Sequence, residues 1–459
     1  MIHKERSRQT IRPLLPVLLI LMFASSASAE WKEKVLYSFQ GGNDGQSPAG
    51  GVVFDKAGNL YGATYEGGST CPSPGCGTIF QLSPGNGGTW TETILYEFNG
   101  NQGSFPEGGV IADANGNLYG TTAYGGSGIC LLFGDNVGCG VAYELSPPAR
   151  KGGQWTYTVL YSFKGGKDGQ IPQGDLTLDE AGNIYGATLY GGGYGSCNAP
   201  YFQHCGTVFK LSAPKQKGGK WTEKVLHSFK GGAAGKKSGD GANPNGGLVL
   251  DSTGAIYGTT YYGGNEVGEC DGGVGGTGCG IVFAFQLPKK KGDAWTEKQL
   301  HVFSGGNDGG QPSAGVILDA EGALYGVAGG GNANGGGIVF RLTAAGGKWM
   351  KTMLHWFSDS DTGPPLSGLT FDPAGSLFGT TIGGDSSPKG TVFGLAAGSG
   401  RLDLWREAGL YSFKGPPDGW HPTASLIIDS FGALYGTTQW GGAGQSCQGG
   451  CGTVFEVSP

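Results

Sequence analysis

Trp31-Lys-Glu-Lys-Val-Leu36-Tyr-Ser-Phe39 is the stretch on which the reading of this chain turns. Trp, then Leu five residues on and Phe three later, returns from Trp90, Trp155, Trp221, Trp295, Trp349 and Trp405. Such a run, rich in aromatic and β-branched residues, reads as a strand. Downstream of each copy comes a short apolar run ending in Asp-x-x-Gly and followed by Leu/Ile-Tyr/Phe-Gly. Asp55-Lys-Ala-Gly58-Asn-Leu-Tyr61-Gly62 and Asp251-Ser-Thr-Gly254-Ala-Ile-Tyr257-Gly258 are examples. The unit closes on a Gly-Thr-Val-Phe-like run, as at 206–209 and 452–455. Each unit therefore reads as four short strands joined by glycine-rich turns.

Seven such units predict an all-β fold, a seven-bladed β-propeller of four-stranded antiparallel blades. A parallel β-helix is the weaker alternative, because its rungs are much shorter than these units. The first Trp-to-Phe run has no strands before it, and the last unit lacks its fourth strand. Pairing 31–39 with the last unit completes blade seven and hides two edges that would otherwise invite aggregation. The expected organisation is a leader over 1–29 and a single propeller domain over 30–459.

Composition agrees. With 96 Gly and 23 Pro in 459 residues, disorder and collagen both need excluding. No Gly-X-Y register is kept, and 10 Trp, 19 Tyr and 22 Phe are too many aromatics for a disordered chain. Residues 1–29 carry Lys4, Arg6, Arg8 and Arg12, an apolar run from Leu14 to Phe23, and small residues closing at Ala29. That is the form of a secretory signal peptide. The formal charge is −6, and without a leader of net +3 it becomes −9, which argues against nucleic acid as a partner. No second long apolar stretch exists, so no membrane span is expected in the exported chain, and its destination is periplasmic or extracellular.

Asp-x-x-Gly stands in all seven units, at Asp55, Asp113, Asp179, Asp251, Asp319, Asp372 and Asp429, and is read as turn chemistry rather than a metal ring. The ten cysteines fall into local pairs: Cys71 and Cys76, Cys130 and Cys139, Cys197 and Cys205, Cys270 and Cys279, Cys447 and Cys451. Zinc requires converging ligands, whereas these pairs belong to five separate units. Export makes disulfides the natural reading.

Two unusual loop classes are expected on one rim. One is the inter-blade segment with Asp four residues before Pro: Asp44, Asp168, Asp240, Asp308, Asp361 and Asp418, with Gln102 in unit two. The other is the Gly-Gly-Cys loop, preceded by Tyr124, Tyr190, Tyr262 or Trp440, with Tyr65 one place earlier in unit one. Aromatic faces beside carboxylates are how proteins hold sugar rings, so these residues are the candidate ligand-binding set; the competing reading is turn chemistry and packing.

No catalytic residue is singled out. There is no Gly-x-Ser-x-Gly elbow. His227, His301 and His355 are strand residues by position, and neither His204 nor His421 has a second His at metal-ligand spacing. No cofactor and no metal are expected. The preferred reading is a monomeric, non-catalytic binding scaffold for an extracellular glycan or surface protein. The alternatives are a polysaccharide lyase or hydrolase using rim carboxylates, and a purely structural envelope protein.

The combination of Leu-Tyr-x-Phe, Gly-Gly-x-Asp-Gly-x-x-Pro, Asp-x-x-Gly-Asn-Leu-Tyr-Gly-Thr-Thr and Gly-Thr-Val-Phe-x-Leu resembles the GloVer (Gloeo-Verruco) tandem repeat of exported bacterial proteins. The resemblance covers essentially all of the chain after the leader. It implies a propeller-like repeat and export, and no particular reaction.

Overall fold

The repeated Trp-to-Phe run forms the outer strand of every blade. Blade 1 is built from Val53–Phe54, Leu60–Thr64, Thr78–Pro84 and Trp90–Glu97, all antiparallel, running from the inner to the outer edge. The same order generates seven four-stranded sheets. In the last, Ile427–Ile428, Leu434–Thr438 and Thr453–Ser458 are completed by Lys32–Ser38 from the start of the chain. The expected closure is therefore present. Thr437 Oγ1 adds a bond to the Gly50 carbonyl at 3.0 Å across the same junction. The computed structural model describes residues 30–150, 152–193, 197, 205–216, 218–231, 239–264, 270, 278–288, 290, 293–330, 336–358, 362–384, 386–397 and 405–459. The expected leader, Asp361 and His204 lie outside the described residues. Among the described residues no helix is long and apolar enough to cross a membrane.

A one-residue bulge explains the Leu-x-x-Phe spacing. In every blade the pairing of the third and outer strands slips by one at the repeat Leu, as between Val35 and Tyr37 or between Val225 and His227. A bulge re-aims the residues that follow it. Leu36 and Phe39 are both buried here, while Tyr37 between them turns toward the neighbouring loop. The repeat Phe then packs on an aromatic of the next blade's third strand. Phe39–Phe80, Phe163–Phe209 and Phe413–Phe455 have centroids 5.1, 5.0 and 5.0 Å apart. Such contacts each add about 0.5–1.5 kcal/mol beyond area burial.

The Tyr-Gly step of the second strand follows from the same packing. A Cβ on Gly62 would lie 2.5 Å from Phe80 Cζ, so a side chain there would displace the core ring. The Asp-x-x-Gly motif is the hairpin turn expected of it. Asp55 Oδ1 accepts the amides of Ala57 and Asn59, and Gly58 takes φ +83°. All five cysteine pairs are disulfides. Five bridges indicate folding in an oxidising environment.

Blades are also tied at the residue before each repeat Pro. Ser47, Phe105, Ile171, Asn243, Gln311 and His421 have φ between 53° and 63°. Each donates its N–H to a carbonyl of the preceding blade, for example Ser47 to Cys451 at 2.8 Å and Gln311 to Cys279 at 2.7 Å. Unit six has Pro364 at this position and so no N–H to give. Blades 5 and 6 also carry no disulfide, as no cysteine stands in either unit.

Candidate functional site

The segment after each repeat Pro runs down the axis of the ring and lines a cavity of about 510 Å³. The residue immediately after Pro is Ala49, Glu107, Gln173, Asn245, Ser313, Leu366 or Thr423 in blades 1 to 7, and all seven face this cavity. Its chemistry is lopsided. Blades 2 to 5 supply a carboxylate, two amides and a hydroxyl, and blade 7 the Thr423 hydroxyl, whereas blades 6 and 1 supply Leu366 and Ala49.

Three of these polar groups end without a partner. Gln173 Oε1, Asn245 Oδ1 and Ser313 Oγ are buried and accept or donate no hydrogen bond within the protein. Leaving a buried polar atom unpaired costs about 1–3 kcal/mol. Beside them, burial pushes the Glu107 carboxyl up to about 7. Asp175, also on the cavity wall, accepts the Gly109 amide at 2.8 Å, and its burial raises it above the usual carboxylate range despite that bond.

Tyrosines border the polar arc. Burial raises the Tyr65, Tyr124 and Tyr190 hydroxyls above the ordinary tyrosine range, and the Glu107 charge adds to the rise at each. The four tyrosines Tyr65, Tyr124, Tyr190 and Tyr262 come one each from blades 1 to 4. Phe105, held left-handed, packs between Tyr65 and Tyr124 at 5.0 and 5.9 Å. Tyr124 further lines a second hollow of about 370 Å³ with Phe105, Leu132 and Asn136. Trp440 is separate. It packs on Trp420 at 5.1 Å and His421 at 4.6 Å, with Lys389 Nζ 3.2 Å from the Trp420 centroid.

The inter-blade Asp residues sit elsewhere, in seams between neighbouring outer strands. Asp44 accepts the Tyr37 hydroxyl (2.6 Å) and the Gln40 amide (2.5 Å). Asp168 does the same with Tyr161 and Lys164, and Asp418 with Tyr411 and Lys414. Asp308 and Asp240 take the Ser304 and Lys230 amides, and each lies 3.1 Å from a histidine Nε2, of His301 and His227 respectively. A half-buried glutamate from the next outer strand completes four of these seams: Glu33, Glu92, Glu223 and, against Asp240, Glu297. Burial, then the charge of Asp418, Asp44 or Asp168, pushes Glu33, Glu92 and Glu223 up to about 7.

A family model described as the Gloeobacter/Verrucomicrobia repeat matches residues 22–196, 129–370 and 269–459. The chain belongs to that repeat family. No curated protein matches it. Solved structures similar to this Gloeobacter/Verrucomicrobia repeat protein share little sequence with it. A protein of unknown function from Dyadobacter fermentans is 11% identical, with 94% of this chain and 98% of that one covered and a TM-score of 0.43. The family AA12 carbohydrate-active enzyme of Trichoderma reesei is 11% identical over 94% and 96%, with a TM-score of 0.41. A polysaccharide lyase of family PL25, an ulvan lyase, is 12% identical over 92% and 95%, with a TM-score of 0.45.

Within this repeat protein, the two unusual loop classes do share one rim: the Gly68, Gly126, Gly192 and Gly442 amides bond to Gly42, Asn101, Gly166 and Asp418 carbonyls. The rim does not bring the two candidate side-chain sets together. Tyr65 lines the axial cavity, Tyr124 the second hollow, and Tyr262 packs against the core between blades 3 and 4, while the described Asp residues place their carboxylates in the seams. The axial set was not anticipated from sequence. Its signal is the position after each Pro, where side-chain chemistry changes from unit to unit while the flanking residues do not.

Proposed function

We propose that this protein is an exported, non-catalytic binding propeller that takes an extracellular glycan at the axial mouth, on the side formed by blades 1 to 5. The observation that carries the reading is the set Glu107, Gln173, Asn245 and Ser313 lining one axial cavity, three of them with a buried polar atom that has no partner within the protein. Sugar hydroxyls donate and accept, which suits amide and carboxylate oxygens, and the tyrosines offer faces for the apolar side of a pyranose ring. The charge and disulfide content suit work outside the cytoplasm. The test is a polysaccharide and glycan array on the purified protein, repeated with Asn245→Ala and with Tyr124→Ala. Loss of hits in both variants supports the reading; an array with no hits, or hits unchanged in both, refutes it.

A second reading has one specific support: Glu107 titrates near neutrality in a polar cavity that also holds Asp175, as an acid–base residue of a polysaccharide-cleaving enzyme would. New reducing ends or unsaturated products that appear with the wild-type protein and vanish in Glu107→Gln would favour cleavage over binding.

A further inference from the structure

One seam carries a donor set found in no other described seam. Where the outer strand of blade 3 (Thr222–Ser228), the loop into blade 4 and the outer strand of blade 4 (Thr296–Val302) meet, His227, Asp240 and Glu297 converge. His227 Nε2 lies 3.1 Å from Asp240 Oδ2 and 3.7 Å from Glu297 Oε2. The three side chains are only 17, 16 and 14% exposed.

We propose that His227, Asp240 and Glu297 form a metal site for one divalent transition ion, with Zn²⁺ the best fit, joining blades 3 and 4. Four-coordinate zinc with ligands at about 2.0–2.2 Å separates its donors by about 3.3–3.5 Å, and the two observed separations bracket that span. One neutral imidazole with two carboxylates carries a charge that a divalent ion balances. The mixed nitrogen and oxygen set suits zinc better than calcium or magnesium, which favour all-oxygen shells.

The local packing prepares each ligand atom. Phe229 and Phe285 hold the His227 ring at 4.8 and 4.9 Å, with Nε2 turned to the carboxylates. The Lys230 amide occupies Asp240 Oδ1 at 2.6 Å and leaves Oδ2 to face the histidine. Glu297 Oε1 is buried without a hydrogen-bond partner. The Lys230 side chain is the cation whose charge also reaches Glu297.

The other seams are built differently. In the next seam the residue equivalent to Glu297 is Lys351, whose ammonium meets Asp308 at 2.5 Å beside His301. There the chain supplies its own cation between histidine and aspartate. Glu33, Glu92 and Glu223 likewise have an unpartnered Oε1, but their third group is a tyrosine hydroxyl already donated to Asp418, Asp44 or Asp168. Only the seam between blades 3 and 4, among the described residues, pairs an imidazole with two carboxylates.

The experiment is calorimetric titration of Zn²⁺ into the metal-stripped protein and into His227→Tyr. Tyrosine stands at the equivalent position in Tyr37, Tyr96, Tyr161 and Tyr411, so the variant adopts a side chain that four other units already fold around. The expected result is one saturable Zn²⁺ per wild-type chain, affinity at least tenfold weaker in His227→Tyr, and a zinc X-ray absorption spectrum fitted by one imidazole with oxygen ligands. Glu297→Gln, nearly isosteric, should weaken binding similarly and serves if the first variant does not fold. Absence of saturable binding in the wild-type protein, undiminished affinity in a folded variant, or a spectrum without imidazole would overturn the site.

Discussion

The outer seams and the axial ring are cut from the same repeat, yet they have diverged to very different degrees. At the seams nearly every described unit places a hydrogen-bonding ring group, Tyr or His, against the residue four before Pro, and fills the third corner from the next outer strand. Along the axis the residue after Pro is Ala, Glu, Gln, Asn, Ser, Leu or Thr. A position that closes a seam is constrained by two neighbours and a buried hydrogen bond. A position on the axis faces only the cavity. The proposed ligand site rests on that difference.

The largest test of the structural half is removal of residues 30–40. That deletion strips blade 7 of its outer strand and the ring of Phe39, whose loss alone costs about 3–5 kcal/mol. The expected outcome is loss of cooperative melting by circular dichroism, whereas Asn245→Ala should melt within about a degree or two of the wild-type protein. A truncated chain that melts like the intact one would remove the distinction between framework and site.

A smaller effect separates the seams by pH. Glu33, Glu92 and Glu223, raised to about 7 by burial and a neighbouring aspartate, bind protons in the folded state that they have released in the unfolded state. Their contribution to stability is complete below the unfolded value of about 4.5 and is lost as pH rises toward 7. The melting temperature should therefore be higher at pH 5 than at pH 8. The triple change to Gln should flatten that difference by raising the value at pH 8.

Disulfide reduction should have less effect. The bridges span at most nine residues, so each closes a loop within one blade. Mild reductant is expected to loosen those loops and keep the β spectrum. The smallest expected signal lies between blades 5 and 6. Pro364 provides no inter-blade amide there, so hydrogen exchange around 337–340 should be faster than at the equivalent 452–455.

Most of this architecture was legible in the sequence, because Trp, Leu, Phe, Asp-x-x-Gly and the cysteine pairs act locally. The bulge at Leu36 and its counterparts was not, since it shows only when two strands are set in register. The aromatic candidates were partly legible. Tyr65 lines the axial cavity and Tyr124 the second hollow, whereas Tyr262 packs against the core of blades 3 and 4 and Trp440 against Trp420. The seam partners of the aspartates were not legible for a physical reason: those of Asp44, Tyr37 and Glu92, lie 7 residues before and 48 after, on strands of different blades. His227, read from its position as an ordinary strand residue, acquires chemistry only when Asp240 and Glu297 are folded against it.

Hydrogen–deuterium exchange with and without the best hit from the glycan array tests the central claim most directly. The account requires new protection in the axial segments 106–109, 173–175 and 245–247, with the seam strands unchanged. Protection confined to the outer seams or to the face bearing the Asp-x-x-Gly turns would contradict it.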